Sequence, residues 1–274
     1  MKTFRRGVKI VNCHKLKILL FCNVIFLLAL LRPMLFFQDN LSLFQSGGAQ
    51  LSNFDFICSF QGDGIVDFNN YIFVIIPLYS VMITFILDEV SGMISTIRLG
   101  SRIRLWNTKV LYVATSAFIL STLLIIGTYF ISGLFIGTYS NAWNTELGLP
   151  YKIFGTTSKW LGLSTLLTTP KVLLVFWNTT FLGFLFIGLF ICMMKVIVSN
   201  LYIYLSIIII LFMDFFNMLG VTVIRQISVT GNQWLNIGSI FFNALYFIFG
   251  IVFFYLLGKY INLEKDQYLG RTGV

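Results

Sequence analysis

The chain has 274 residues, of which 58% are hydrophobic, 17% aromatic and only 11% charged, and it carries a net charge of +9. A soluble domain carries about 25% charged residues, so the composition excludes one and points to an integral membrane protein. Its apolar runs greatly exceed the short alternating segments of a membrane barrel and match the ~20 residues a helix needs to cross a core of roughly 30 Å.

The expected fold is therefore all-α, a single polytopic transmembrane domain over residues 1–274 with six spans. Residues 1–17, MKTFRRGVKIVNCHKLK, form a basic flank. Phe4, Val8 and Val11 recur there at helical spacing, which suits either an interfacial amphipathic helix or a plain lead-in to the first span. That span is expected over Ile18 to Phe37. No small-residue cleavage site follows it and it continues through Arg32 and Pro33, so it is read as retained rather than as a signal peptide. Residues 38–70 are polar, with Asp39, Asp55, Asp63, Asp67 and the pair Gly47-Gly48, and read as a loop or small outer cap. The second span is expected over Tyr71 to Leu87 and the third over Lys109 to Ile136, separated by the segment 88–108. Residues 137–171 mix Asn, Thr and Gly with apolar stretches such as WLGLSTLL, a pattern that suits short interfacial or re-entrant helices. The remaining spans are expected over Val172 to Met194, Leu201 to Val223 and Leu235 to Lys259.

Lysine and arginine are retained on the cytoplasmic side of a membrane, whereas acids count for little. With the N-terminus inside, fourteen of the nineteen basic residues fall in cytoplasmic segments, among them Lys2, Arg5, Arg6, Lys17, Arg98, Arg102, Arg104, Lys195 and Lys259. Only Lys152, Lys159, Lys171 and Arg225 fall outside, with Arg32 near the outer end of the first span. Both termini are thus expected in the cytoplasm. The positive charge needs no nucleic acid to explain it, because anionic lipid headgroups attract basic residues at about 1 kcal/mol each.

Catalytic chemistry is not expected. The sole histidine, His14, lies in the basic flank, so neither a zinc site of the HExxH kind nor a histidine triad can be assembled in the membrane. Cys13, Cys22, Cys58 and Cys192 have no metal-type spacing and read as packing residues. The only Gly-Lys, Gly258-Lys259, is followed by Tyr260 rather than Ser or Thr, so there is no phosphate-binding loop and no nucleotide, metal or other cofactor is expected on this chain. One acid, Asp214 in ILFMDFFNMLG, falls near the middle of the fifth expected span. A charge at that depth costs at least about 2.5–3.5 kcal/mol, so Asp214 is either a titrating group for proton or cation coupling or a structural carboxyl bonded to Asn217 or to another span.

The segment after the second span concentrates several signals. Asp88 and Glu89 stand where they would favour the N-terminus of a short helix. Val90, Met93, Ile94 and Ile97 then recur at three- and four-residue spacing, Gly100-Ser101 interrupts the pattern, and a basic lead-in with Arg102, Arg104 and interfacial Trp106 follows. This arrangement resembles the permease subunit of ABC transporters of the type 2 exporter class, in the run Asp88-Glu89, Arg98-Leu99-Gly100-Ser101-Arg102, Trp106 and in the topology of the whole chain. The resemblance implies a cytoplasmic coupling helix between the second and third spans that seats in a separate ATP-binding cassette subunit through Asp88, Glu89, Ile94, Ile97, Arg98, Arg102 and Arg104. ATP and Mg would belong to that subunit, and a second permease chain, identical or related, would complete the pathway. Many members of that family place re-entrant elements between the fifth and sixth spans, whereas here the long outer segment lies between the third and fourth. The phenylalanine-rich spans suit a hydrophobic or amphipathic cargo such as a peptide, antibiotic or lipid-like molecule, exported across a bacterial cytoplasmic membrane. Two other readings are a self-sufficient secondary transporter or channel using Asp214 and a non-transporting immunity or sensor protein.

Overall fold

A computed structural model describes residues 2–46, 48, 50–59, 63–91, 101–155, 160–220, 222–229, 231–234 and 236–269. Among these the chain is helical, with no strand. Among the described residues five helices are long and apolar enough to cross a membrane. The first belongs to α1 (Lys2–Ser46), a continuous helix of 45 residues, about 67 Å at 1.5 Å per residue. It takes in residues 2–17 of the basic flank and also residues 38–46, which lie in the segment expected as a loop or small outer cap. After the short α2 (Asn53–Ile57) come α3 (Phe68–Val90) and α4 (Arg102–Ile136). Two further short helices, α5 (Leu149–Phe154) and α6 (Trp160–Ser164), precede the fourth long helix, α7 (Thr169–Ile197).

The fifth expected span is cut short. Helix α8 (Asn200–Phe215) has 16 residues, below the ~20 that cross a hydrocarbon core. It stops because Asn217 (φ 54°) and Gly220 (φ 68°) adopt the left-handed conformation that ends helices, which Asn and Gly tolerate best. The chain then passes through α9 (Val223–Ile227) and α10 (Gly231–Trp234) into the last long helix, α11 (Ile237–Leu269).

Helices α3 and α7 form the interior, with 67% and 56% of their most apolar windows buried, whereas the corresponding window of α11 is only 6% buried. Phe242, Phe249, Phe253 and Leu256 of α11 are exposed, an arrangement that water would penalise and hydrocarbon would not. Close approach at the centre depends on small residues. A Cβ on Gly188 of α7 would meet Val113 Cγ1 of α4 at 2.5 Å and the Tyr79 hydroxyl of α3 at 2.8 Å. A Cβ on Gly258 of α11 would meet the Trp106 ring at 2.1 Å. Trp106 is therefore fully buried between α4 and α11, with Tyr255 tilted against it at 6.4 Å.

Helix α1 carries Pro33 in its interior. Proline has no N–H, so the carbonyl four residues earlier, that of Ala29, loses its helical donor. Asn70 of α3 supplies the replacement. Its fully buried Nδ2 donates to Ala29 O and to Ile65 O, each at 2.9 Å. The first turns of α3 are widened into a π-helical stretch, Tyr71–Ile75, where the Tyr71 hydroxyl lies 2.9 Å from Thr180 Oγ1 of α7. A second π-helical stretch, Leu123–Gly127, interrupts α4.

Candidate functional site

Four helices are fastened together where α3 ends. The run ILDEV keeps helical phase to Val90, so Asp88 and Glu89 lie in the last turn of α3 and do not open a new helix, as their capping chemistry suggested. Glu89 ion-pairs with Lys17 of α1, whose ammonium also stands 5.7 Å over the Phe85 ring. Lys195 of α7 reaches Asp88 Oδ1 at 2.5 Å, and Asn200 Nδ2 of α8 donates to Asp88 Oδ2 at 2.8 Å. The Lys195 ammonium also donates to Asn200 Oδ1. An isolated surface pair contributes only about 0–1 kcal/mol. The weight of this clamp rests on Lys195, whose side chain is 12% exposed.

The chain returns to the bundle nearby. Ser101 caps α4, its Oγ accepting the Arg104 N–H at 3.2 Å, while Gly100 of the expected Gly-Ser break lies outside the described residues. The Arg102 carbonyl accepts from Asn262 Nδ2 of α11 at 3.1 Å, and the Tyr255 hydroxyl donates to Asn107 Oδ1 at 3.2 Å. Arg102 is half-buried and Arg104 exposed. Met93, Ile94, Ile97 and Arg98 lie outside the described residues. The segment 91–101 thus begins beside a clamp holding α1, α3, α7 and α8 and ends at a joint between α4 and α11.

The opposite end of the bundle, about 30 Å away along α3 at 1.5 Å per residue, is covered by the described residues among 50–67 and 137–168. Of the two expectations for the first of these segments, a loop or a small outer cap, the cap is what its described residues form, with 51–59 and 64–67 buried, whereas much of 137–147 is exposed. The Gln50 N–H donates to Leu147 O at 2.8 Å, joining the two segments. The Arg32 guanidinium pairs with Asp63 at 3.0 Å. Asp67 Oδ2 accepts from the Gly64 N–H at 2.5 Å, the Ser59 hydroxyl at 3.0 Å and the Ser59 N–H at 3.2 Å. Asp55 on α2 is fully buried, accepting the Trp143 indole N–H at 2.6 Å and the Ser52 N–H at 2.7 Å.

Burial pushes the Asp55 carboxyl up from 3.8 to about 7, against the opposing pull of its bonds from Ser52 and Trp143. In that interval the folded chain holds a proton that the unfolded chain has released, so stability falls as pH rises from about 4 to about 7 and levels off above. Thermal unfolding of the purified protein between pH 5 and pH 8 is expected to show a falling midpoint that is flattened in Asp55→Asn. Equal slopes in the two proteins would show that Asp55 does not titrate in this range.

Asp214 does not lie at mid-span. It is the penultimate residue of α8, beside Phe215, whose ring packs on Phe68 (6.4 Å, stacked) and Phe73 (5.7 Å) at the cap end of α3. Its fully buried carboxylate accepts the backbone N–H of Ile224 at the start of α9 and stands 3.6 Å from Arg225 Nε, while Arg225 stacks 5.4 Å over Phe68. Asn217 meets Asp214 through the backbone, N–H to carbonyl at 3.2 Å. Asp214 therefore bridges the broken stretch between α8 and α9. Ile224 also lines a partly open apolar cavity of about 130 Å³, with Ile76, Phe190, Leu211 and Phe254 among its other walls.

Among the described residues no group of three or more His, Cys, Asp or Glu could hold a metal ion. The chain matches no protein-family model, no curated protein and no solved structure. Sequence reasoning singled out Asp88, Glu89 and Asp214 but missed their partners Lys195, Asn200 and Lys17. Glu89 and Lys17 are 72 residues apart and Asp88 and Asn200 are 112 apart, beyond the reach of any local spacing rule.

Proposed function

We propose that this chain is the membrane-spanning subunit of an ATP-driven exporter, set in a bacterial cytoplasmic membrane with both termini inside. It lines the path of a hydrophobic or amphipathic substrate and couples to a separate ATP-binding subunit through the segment 88–108. The observation that carries this reading is the pairing of Asp88 and Glu89 with Lys195, Asn200 and Lys17. A push delivered to the segment between α3 and α4 is handed at once to the ends of α1, α7 and α8, which is what a coupling element requires. The short helices α9 and α10 add support, since they stand between α8 and α11, the places of the fifth and sixth expected spans, where many members of the resembled class carry re-entrant elements. Two such chains would form the pathway, and ATP and Mg would act on the partner subunit. The alternative of a self-sufficient transporter rests on Asp214, whose carboxylate already serves the α8 to α9 break. A non-transporting immunity or sensor role has no structural feature in its favour.

The test is purification of the chain from membranes of its own host. A soluble ATPase is expected to co-purify, and Arg102→Glu and Arg98→Glu are expected to weaken its retention at least about tenfold, ~1.4 kcal/mol. Undiminished retention and full stimulation of ATP hydrolysis in both variants would remove the docking role.

A further inference from the structure

Helices α8 and α11 both lean on α7, α8 also packing on α3 and α11 on α4. Between them is the crevice of about 130 Å³ that Ile224 helps to line. Its floor is buried and comes from four helices, with Ile76 of α3, Ile187 of α7, Leu211 of α8 and Ile224 of α9. Its rim is only half-buried, and is made by Phe190 of α7, Ile210 of α8, Val223 of α9 and Phe254 of α11. The mouth therefore opens sideways between α8 and α11. It continues the surface on which Ile209 and Phe212 of α8 and Phe249 and Phe253 of α11 stand exposed.

The chemistry, depth and size of the crevice agree on what fills it. Its walls are side chains of Ile, Leu, Val and Phe alone. A bound water needs about 2–4 polar partners, so water gains nothing there. Phe190 is five residues from Lys195 and Ile76 is twelve from Asp88, which sets the crevice about 8–18 Å inward from the charged clamp at 1.5 Å per residue. A hydrocarbon core is roughly 30 Å thick, so what adjoins the mouth at that depth is lipid tail. The volume is well below the ~300 Å³ at which small-molecule pockets begin. It is close to the ~150 Å³ of an apolar cavity that stays dry and takes up benzene. A peptide or an antibiotic is too wide for it, and a single hydrocarbon chain is not. Left empty, the crevice would deprive every wall of its dispersion contacts.

We propose that the crevice is a binding site for one acyl chain of a bilayer phospholipid, which enters between Ile210 and Phe254 and ends against Ile76 and Ile187. The chain fills the gap between α8 and α11 and touches the start of α9, whose Ile224 N–H is held by Asp214. It thereby joins the stretch where the fifth expected span is broken to the least buried of the long helices. The site rests on the membrane placement of the chain and stands whether or not the chain couples to an ATPase.

The full chain can be reconstituted in phosphatidylcholine nanodiscs in which a fraction of the lipid carries a photoreactive diazirine midway along one acyl chain, then irradiated and mapped by peptide mass spectrometry. Label is expected on exposed Phe249 and Phe253, as on any lipid-facing helix. It is also expected on buried Ile76 and Ile187, which a lipid reaches only through the crevice. Ile210→Phe and Val223→Phe each add bulk at the half-buried rim, where a larger side chain has room. Each is expected to lower the label on Ile76 and Ile187, relative to Phe249 in the same sample, about tenfold, the equivalent of ~1.4 kcal/mol. Unlabelled Ile76 and Ile187 beside labelled Phe249, or undiminished label in both rim variants, overturns the proposal. Equal labelling of Ile76 by a water-soluble diazirine overturns it too, by making the crevice aqueous. Protection of Ile76 and Ile187 that gives way once each disc holds a single chain assigns the crevice to a second copy instead of a lipid. Absence of label at Phe249 and Phe253 as well would remove the membrane placement along with the site.

Discussion

Replacing Asn70 with alanine is expected to lower the stability of the folded chain by about 2–4 kcal/mol, because two buried carbonyls, those of Ala29 and Ile65, lose their donor together and each orphaned group costs about 1–3 kcal/mol. The residue is fully buried, so water does not restore the bonds. The cause of half of this loss is Pro33, which leaves Ala29 O without a helical donor. Pro33→Ala returns an N–H to that carbonyl. In the Pro33→Ala background the Asn70→Ala penalty is therefore expected to shrink by about half, measured as a double-mutant cycle on equilibrium unfolding in detergent. Strict additivity of the two substitutions would show that Asn70 does not serve the notch in α1.

Asp214→Ala is expected to cost about 1–3 kcal/mol, the price of leaving the Ile224 N–H unsatisfied in a buried place. Arg225 limits the damage, since its side chain is 40% exposed and remains solvated when its partner is removed. Asp214→Asn retains a carbonyl oxygen to accept the Ile224 bond and is expected to recover most of that stability while leaving the pH profile of transport unchanged. This pair of variants separates the two roles a carboxyl can have here. A transport profile that loses its pH dependence in Asp214→Asn, with unfolding unaltered, would make Asp214 a proton carrier and favour the self-sufficient transporter.

Helix class was legible in the sequence because it follows from hydropathy and length, which are local. Helices α1, α3, α4, α7 and α11 each contain one expected span almost whole. The errors arose where a side chain acts across the fold. In ILFMDFFNMLGV the stop at Phe215 is signalled only by Asn217 and Gly220 within an apolar run that continues past it. The stop is made by left-handed Asn217 and Gly220 and held by Asp214 reaching forward to Ile224. Asp88 and Glu89 were recognised as important from their charge beside a basic segment, but their chemistry was assigned to capping a following helix. Their ion pairs run to α1 and α7 instead. Trp106 illustrates the same limit, because only the glycine at 258 on a distant helix makes room for its ring inside the bundle. The polar residues of 38–70 read as a loop or a small outer cap from composition, and the choice between them is made by Asp55 and Asp67, which are buried because backbone N–H groups and an indole converge on them.

Helices α1 and α3 are joined at two heights, by Lys17 with Glu89 at one and by Ala29 with Asn70 at the other. A single attachment between two rods leaves them free to pivot and to slide. Two attachments, separated by twelve residues or about 18 Å of α1, remove both freedoms. The two helices consequently behave as one rigid body. Helix α7 is tied to that body in the same way, by Lys195 with Asp88 and by Thr180 with Tyr71, so a displacement of the end of α3 is carried by three helices together.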